Sequence, residues 1–488
     1  MKSSADMNFA GEILRRLGPN SQLIDAASGQ AVPAEEVPGL IRGFAGTFLS
    51  SGLRPGDRIL ISCNLTPSST LAYLGTMYAG LVPVPLDGRV LTDSGETLCV
   101  RTRARAVWTD EAIQCDWPDK LGVLHLKGCP DGRPAPSLAP AACAKDDLAA
   151  LMPTSGSTGV PRLVMVSHGN LIANTEAIVR SQGLGTDERA MLILPISYCF
   201  GASVVHSHLY QGGSVVFDSR FMFPDKVLRA INEYGCTSIA GVPTTYNILL
   251  RRSSLATVPL PGLRRFLQAG GALATESVTK MREIVPSAAF YVMYGQTEAT
   301  ARISCLPPER LTQKLGSAGV PLDNLKVAAF DEGGRELATD ETGEIWVKGP
   351  SVTLGYFDDP EETARKFSQG WLKTGDIGSL DADGYIWLKG RKGDFMKMRG
   401  VRVSFAEIET RVRAVAGVCE CAATSVPHPE AGDALALFVV PENGARDLPA
   451  QIRRALPVHW VCSAINLVEE LPRTSTGKMA RHRLGSIK

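Results

Sequence analysis

A loop of hydroxyl residues and glycines between two apolar runs is the segment of this 488-residue chain best suited to bind phosphate. The loop consists of Thr154, Ser155, Gly156, Ser157, Thr158 and Gly159. Glycine lets the backbone approach a ligand closely, and serine and threonine add short hydrogen-bond donors. It is not the usual P-loop, because the Gly-x4-Gly-Lys-Ser/Thr pattern is absent. The loop is therefore a candidate site for the phosphates of a nucleotide.

Three further motifs with chemically useful residues follow along the chain. They are Tyr294-Gly-Gln-Thr-Glu298, Thr374-Gly-Asp376 with Gly390-Arg391, and Pro472-Arg-Thr-Ser-Thr-Gly-Lys478. Taken alone, Glu298 could be an acid in the first turn of a helix, Asp376 a turn residue, and Lys478 part of a solvated basic tail. Their occurrence together and in this order favours one shared function.

In this order the four motifs resemble those of the adenylate-forming superfamily, which includes acyl-CoA synthetases, aryl-CoA ligases, luciferases and the adenylation domains of peptide synthetases. The resemblance extends from the phosphate loop to the C-terminal lysine. It implies an enzyme that joins a carboxylic acid to AMP, releases pyrophosphate, and then passes the acyl group to a thiol. It also implies ATP and Mg²⁺ as cofactors.

The resemblance implies a role for each motif. Residues 154–159 would hold the β- and γ-phosphates, Glu298 would bind Mg²⁺, and Thr297 would hydrogen-bond phosphate. Asp376 would accept hydrogen bonds from the ribose hydroxyls with Arg391 in support, and Lys478 would act on the α-phosphate and the attacking carboxylate. Adenine would lie between Tyr294-Gly295 on one side and Gly270, Gly271 and Ala272 on the other.

Two positions depart from the family pattern. Arg162 stands where the phosphate loop usually ends in Pro-Lys, so phosphate binding should survive with altered geometry. Gly393 stands at the hinge, where the family usually has Asp or Lys; glycine permits rotation and Asp394 follows it.

The acyl pocket is predicted from the segment around Tyr198 and from glycines on later strands. Its residues would be Tyr198, Cys199, Gly201, Gly241 and Gly270. Amino-acid-activating members have an aspartate at the position aligned with Cys199, and a thiol cannot replace that charge, so an α-amino acid is disfavoured. Glycine-lined walls favour a fatty or aryl acid. Tyr198 could equally be a core aromatic.

The acyl acceptor would be CoA or the phosphopantetheine arm of an acyl carrier protein. The segment containing Lys397 and Gly400 would approach the pantetheine. No long insertion separates Gly343 from Asp376, which favours CoA. A different class of function, a non-catalytic nucleotide-binding regulator, predicts loss of Glu298 or Lys478, and both are present.

Composition excludes other classes of partner and compartment. Hydrophobic residues make up 44% of the chain and the formal net charge is +1, which disfavours a nucleic-acid partner. The N-terminus lacks a signal-like apolar core, no run is long enough to span a membrane, and the cysteines contain no Cys-x-x-Cys pair. We expect a cytoplasmic protein.

Apolar runs that alternate with helical patterns predict an α/β protein with largely parallel sheets. Examples are the strand Arg58–Cys63 with a helix capped by Thr66, and the strand Phe290–Tyr294. A small antiparallel β unit follows near residues 331–388. The resemblance places a domain boundary after Arg391. It implies a large nucleotide-binding domain at 1–391 and a small, mobile α+β lid at 392–488 with Lys478. Ser404 and Glu407 predict a capping box at the start of the lid's first helix.

Overall fold

The computed structural model describes residues 7–110, 117–129, 138–154, 160–398, 401–428, 432–442, 445, 447–457, 460–473 and 479–486. The described helices are α1 Phe9–Arg16, α2 Val37–Ser50, α3 Pro67–Tyr78, α4 Gly88–Thr102, α5 Trp117–Leu121, α6 His168–Gln182, α7 Cys199–Tyr210, α8 Pro224–Glu233, α9 Pro243–Arg252, α10 Thr275–Ile284, α11 Pro360–Lys366, α12 Phe405–Arg413 and α13 Leu448–Ala455. Short 3₁₀ turns cover Thr297–Ala299, Pro308–Arg310 and Arg481–Ser486.

The described strands are β1 Leu23–Asp25, β2 Ala31–Val32, β3 Arg58–Ser62, β4 Val82–Leu86, β5 Ala106–Thr109, β6 Leu124–Lys127, β7 Leu148–Thr154, β8 Arg162–Ser167, β9 Arg189–Leu192, β10 Ser214–Phe217, β11 Ser238–Gly241, β12 Arg265–Gln268, β13 Ala289–Tyr294, β14 Ser304–Leu306, β15 Val320–Pro321, β16 Lys326–Phe330, β17 Gly343–Lys348, β18 Phe367–Ser368, β19 Trp371–Leu380, β20 Ile386–Arg391, β21 Phe395–Met398, β22 Val401–Ser404, β23 Val418–His428, β24 Gly432–Pro441 and β25 Cys462–Leu467.

The chain divides into two compact units. The first comprises Met1–Val327 with Val347–Leu372, and the second comprises Ala328–Trp346 with Lys373–Lys488. The second unit thus includes residues 328–346 and 373–391 as well as the segment that follows Arg391. The boundary after Arg391 stays a prediction.

Parallel strands dominate the first unit, as the sequence predicts. Its nine-stranded sheet has the order β15-β14-β13-β12-β11-β9-β10-β1-β2, in which β13 to β1 run parallel and the edge strands are antiparallel. A second sheet, β4-β3-β5-β6, is wholly parallel, and β7 and β8 form an antiparallel pair. Largely parallel sheets place strand ends, and the loops that follow them, along common edges.

Local sequence signals explain how the elements start and stop. The Thr66 side chain accepts a hydrogen bond from the backbone N–H of Ser69, and Pro67 occupies the first turn of α3. Leu71 and Leu74 on that helix are buried. The helix ends before Gly80, whose φ of 73° lies in the left-handed region that glycine favours.

The predicted turns and antiparallel strands near residues 331–388 are present. The backbone of Asp331 pairs with Arg335 to close a turn, and Asp381 pairs with Tyr385 to close another. The strands of this region have the order β16-β17-β19-β18, with β20 beside β19.

The C-terminal part of the second unit has its own sheet, ordered β22-β21-β24-β23 with β25 parallel to β24. Ile408 and Val412 of α12 are fully buried against this sheet's core, as the apolar stripe predicts. The predicted capping box is wrong in one respect. Ser404 caps α12 by accepting from Ala406, and Glu407 pairs with Arg411 one turn later, at 3.3 Å. Side chains four residues apart lie on the same face of a helix, so this carboxylate pairs with Arg411 and not with the N-cap backbone.

No helix in the described part of the chain combines the length and apolar character that a membrane crossing requires.

Buried histidines predict acid sensitivity of the first unit. Burial lowers the pKa of His168 and His208 to about 4 and that of His206 to about 3. The pKa of a histidine in the unfolded chain is about 6.5, so below that pH the unfolded chain takes up protons that the folded chain excludes. The free energy of unfolding should therefore have its full value above about pH 6.5 and should fall as the pH decreases toward 4. Measurement of Tm as a function of pH checks this.

The variant His206→Phe tests this assignment. Phenylalanine keeps an aromatic ring against Tyr73 and Phe9, which contact His206 at ring-centroid distances of 5.7 and 4.9 Å, but it cannot titrate. Its free energy of unfolding should fall less steeply with acid than that of the wild type, by up to about 1.4 kcal/mol per pH unit. Its Tm should therefore also depend less on pH. An unchanged pH slope would contradict the assignment.

Candidate functional site

The carboxyl ends of four neighbouring parallel strands bring the predicted acyl and adenine residues to one edge of the main sheet. The strands lie in the order β13-β12-β11-β9 and lead directly into the segments that contain Tyr294, Gly270, Gly241 and Tyr198. Gly270 has a φ of 86°, and a Cβ placed on it would lie 2.6 Å from the Tyr198 hydroxyl. The sheet therefore brings Tyr198 and Gly270 into contact.

The remaining predicted glycines have close backbone or side-chain neighbours. A Cβ on Gly201 would lie 2.3 Å from the Pro195 carbonyl oxygen, so glycine allows the first turn of α7 to approach that backbone. A Cβ on Gly241 would lie 2.6 Å from Thr245 Cγ2. The side-chain amide of Gln268 donates to the Gly271 carbonyl at 2.8 Å, and Ala272 is exposed.

Thr297 and Cys199, predicted separately for phosphate and acyl binding, touch each other. The Thr297 hydroxyl donates to the Cys199 sulfur at 3.4 Å, and both residues are buried. Cys199 is the first residue of α7, whereas Thr297 opens the 3₁₀ turn after β13. The contact joins the end of β13 to the start of α7.

Glu298 is fixed by residues far along the chain. Its backbone carbonyl accepts from the Thr353 amide at 3.0 Å and from the Thr353 hydroxyl at 2.9 Å. One carboxylate oxygen accepts from the Tyr356 hydroxyl at 2.6 Å. Burial, and then the Glu298 charge, raise the pKa of Tyr356, so the phenol remains a donor. The other carboxylate oxygen has no hydrogen-bond partner within the described ranges.

This geometry leaves Glu298 able to ligate a cation with one oxygen. No cluster of three His, Cys, Asp or Glu that could hold a metal occurs among the described residues. A magnesium ion usually takes one or two protein carboxylates and completes its shell with water and substrate phosphates. A single half-buried glutamate therefore fits magnesium bound together with a nucleotide better than a resident metal.

The phosphate loop joins two paired strands. Thr154 at the end of β7 is opposite Arg162 at the start of β8, while residues 155–159 between them lie outside the described residues. Arg162 makes ion pairs with Asp359 at 3.4 Å and with Glu362 at 3.3 Å. Its guanidinium also lies 5.9 Å from the centre of the Tyr356 ring. The arginine that replaces the usual lysine thus has two acidic partners.

Asp376 and Arg391 meet in the second unit, as the resemblance implies. They are opposite each other in the β19–β20 pairing, and Arg391 Nε lies 3.1 Å from Asp376 Oδ1. Asp376 is buried whereas Arg391 is largely exposed. The Asp376 amide donates to the Thr374 hydroxyl at 3.0 Å, which fixes the backbone of β19 beside it.

The remaining predicted residues are only partly described. A Cβ on the hinge candidate Gly393 would meet no atom within 4 Å. Lys397 lies on β21 opposite Arg402, but its side chain is not among the parts that the structure describes. Gly400 and Lys478 lie outside the described residues. The loop that contains Lys478 is closed at its base by a bridge between Arg473 and Met479.

Two residues that contact this site were missed from the sequence. Tyr356 follows no recognisable motif, and only the pairing of its segment with β8 brings it to Glu298. Arg302 lies four residues after Glu298 and is 2% exposed. No local sequence signal marks Arg302 as buried, because polar residues such as Thr300 and Ser304 lie beside it.

Comparisons with known proteins agree on one family. The model for AMP-binding enzymes matches residues 26–357, and the model for the AMP-binding enzyme C-terminal domain matches residues 407–478. A feruloyl-CoA synthase from Amycolatopsis sp is 31% identical over 96% of each chain. A 2-succinylbenzoate–CoA ligase from Bacillus pumilus is 31% identical over 93% of this chain and 92% of its own length.

Two solved structures are similar over nearly the whole chain. ATP-bound MatB from Rhodopseudomonas palustris has a TM-score of 0.89 at 27% identity, covering 98% of each chain. The o-succinylbenzoate CoA synthetase MenE from Bacillus subtilis, in complex with the acyl-adenylate intermediate OSB-AMP, has a TM-score of 0.86 at 25% identity. That match covers 99% of this chain and 98% of the other.

The hydrogen bond between Tyr356 and Glu298 should be measurable by a double-mutant cycle. A bond from a buried phenol to a carboxylate contributes about 1 to 3 kcal/mol, and the half-buried position of Glu298 favours the lower value. We expect Tyr356→Phe and Glu298→Gln to show a coupling energy of about 1 kcal/mol in chemical denaturation.

The matched control is Tyr78→Phe, which removes a hydroxyl whose bond, to the Leu138 carbonyl at 2.7 Å, does not involve Glu298. Combined with Glu298→Gln, it should show no coupling. Equal coupling for both tyrosines would contradict a direct Tyr356–Glu298 interaction.

Proposed function

Because the chain belongs to the family of AMP-binding enzymes, we propose that it is an ATP-dependent ligase that joins a carboxylic acid to CoA through an acyl-adenylate. The observation that carries this proposal is the match over nearly full length to two curated acid–CoA ligases at 31% identity.

The proposed reaction has two steps. A carboxylate oxygen of the acid attacks the α-phosphorus of ATP, the bond to the β-phosphate oxygen breaks, and pyrophosphate leaves. The CoA sulfur then attacks the acyl carbon, its proton is lost, and AMP leaves. The enzyme has to hold the triphosphate, stabilise the charge that develops on it, and keep water from the acyl-adenylate.

The Glu298 carboxylate would hold Mg²⁺, which supplies charge neutralisation on the phosphate oxygens when it is bound. Tyr356 fixes one of its oxygens and leaves the other for the cation, which supports this role. Thr154 and residues 155–159 would donate to the phosphates, and Thr297 would extend this contact.

The nucleoside would be held by Tyr294 and Asp376. Tyr294, with Gly270, Gly271 and Ala272, would enclose adenine, and Asp376 would accept from the ribose hydroxyls. The 3.1 Å contact between Arg391 and Asp376 supports this assignment, because it orients the carboxylate while leaving it able to accept further bonds.

The acid is proposed to be a fatty or aryl acid without an α-amino group. Cys199 has no charge to offset an ammonium, and its sulfur accepts from Thr297. The acceptor is proposed to be CoA, approached through Lys397 and Gly400, with hinge rotation at Gly393. The described cysteines are all free thiols, which fits a reducing cytoplasm.

The test is pyrophosphate release from ATP measured over a broad panel of acids, followed by mass spectrometry after CoA or a pantetheinylated carrier protein is added. We expect acid-dependent release and an acyl-CoA product. An acyl-carrier product alone would indicate a stand-alone adenylation enzyme. ATP binding without turnover on any acid would indicate a nucleotide-binding regulator.

Asp376→Asn should weaken ATP binding by about 10- to 100-fold. The amide keeps the shape of the side chain but loses the charge-assisted hydrogen bonds to the ribose. Calorimetric titration with ATP checks this. Asp383→Asn, which changes a carboxylate in a turn of the same unit, is the control, and an equal effect of both variants would contradict the ribose role.

Lys478→Ala should slow adenylation by at least about 100-fold, or roughly 3 kcal/mol, by analogy with the loss of one donor to a transition-state charge. It should largely spare thioester formation from supplied acyl-adenylate, because the second step no longer involves the pyrophosphate bond. The two half-reactions are measured separately in single turnovers. Equal losses in both would contradict a role confined to the first.

A further inference from the structure

Arg302 is a buried arginine whose backbone is held in place on both sides. Asn174 of α6 donates to its carbonyl at 2.8 Å and accepts from its amide at 3.2 Å. The residue is 2% exposed. Its position is therefore set by main-chain hydrogen bonds, and the side chain is not needed to anchor the segment.

The guanidinium of Arg302 lacks an acidic partner in the described part of the chain. It lies 5.1 Å from the centre of the Phe200 ring, and its Nη1 atom contacts the Met293 sulfur. Burial lowers the pKa of Arg302 to about 10, so it remains charged at neutral pH. The ionisable groups that act on it are thiols and a phenol, from Cys305, Cys199 and Tyr198.

Two other arginines of the same unit with low exposure have acidic partners. Arg265 forms an ion pair with the buried Glu188, and Arg220 pairs with the buried Asp218 at 2.8 Å. A buried charge without a partner is costly, and proteins normally pair it or bind an ion to it. Arg302 is nearly fully buried and has no such acidic partner in the described part of the chain, so a ligand anion would supply the missing counter-charge.

The surroundings of Arg302 are those predicted for the acyl group. Phe200 lies in the first turn of α7, next to Cys199, and its ring is 6.3 Å from that of Tyr198. A small cavity of about 10 Å³ adjoins the same segment and is lined by Cys199, Asn174, Thr300 and Ala301, among others. The guanidinium therefore lies beside the start of α7, next to the residues predicted to contact the acyl group.

We infer that Arg302 binds a second carboxylate at the far end of the substrate, so that the acids this enzyme activates are dicarboxylic acids. This inference rests on the proposed function and narrows its substrate class. A guanidinium presents two parallel N–H donors that match a carboxylate. The second carboxylate would replace the missing acidic partner, and an acid that ends in an uncharged group would leave the cation unpaired.

The experiment compares acids in matched pairs. The full-length enzyme is assayed for acid-dependent pyrophosphate release with aliphatic and aryl dicarboxylic acids, each beside its own monomethyl ester, which keeps the skeleton and removes the second charge. Wild-type kcat/KM should favour the diacid of the best pair by at least about tenfold. Arg302→Met should reduce that ratio by about 10- to 100-fold, mainly through KM, and Arg302→Lys should keep part of it.

Two controls separate recognition from folding. Arg180→Met removes an exposed arginine of α6 that pairs with Asp323 at 2.6 Å, and it should leave the ratio unchanged. Arg302→Met removes an unpaired buried charge and keeps the Asn174 bonds, so its Tm should not fall. Dicarboxylates alone should raise the Tm of the wild type more than their half-esters do, and this difference should vanish in Arg302→Met.

The outcomes are distinct. A wild type that activates half-esters as well as diacids, or an Arg302→Met variant with an unchanged ratio, would overturn the inference and leave the ligase function intact. Failure to release pyrophosphate with any acid would overturn the proposed function. In that case the thermal-shift comparison still decides whether Arg302 binds a dicarboxylate.

Discussion

The candidate site depends on how residues 353–357 connect two distant parts of the first unit. Their backbone pairs with β8 through Met165 and Leu163. Thr353 and Tyr356 of the same segment hold the carbonyl and the carboxylate of Glu298. One short extended segment therefore fixes the strand that follows the phosphate loop relative to the proposed metal ligand. Such preorganisation matters because a group that stabilises developing charge has to be in place before the charge forms.

Arginines of the first unit differ in whether the fold supplies an acidic partner. Arg162 contacts Asp359 and Glu362 beside the phosphate loop, and Arg265 contacts Glu188 at the opposite end of the strands. In these cases the folded protein supplies the counter-charge. Arg302 has only the Phe200 ring and the Met293 sulfur, which offset part of the desolvation of a guanidinium. The missing counter-charge is the reason to look for it in a substrate.

The second unit contains its own pair of a carboxylate and a guanidinium. Asp376 and Arg391 face each other across β19 and β20, and Glu344 and Thr374 accept hydrogen bonds from the β19 amides of Gly375 and Asp376. The antiparallel register alone places the two side chains together, so their contact does not require a ligand. A carboxylate oriented in this way is suited to bind a diol.

The sequence by itself determined the α/β class, the positions of several elements and the identity of the motifs, because hydrophobic period, capping residues and glycines act over a few residues of chain. It also predicted the pairing of Asp376 with Arg391, through the family resemblance. It did not predict Tyr356 as the partner of Glu298, the acidic partners of Arg162, or the isolation of Arg302. Those outcomes depend on which side chains meet, and that is decided by strand order and packing between segments up to 200 residues apart, where local pattern carries no information.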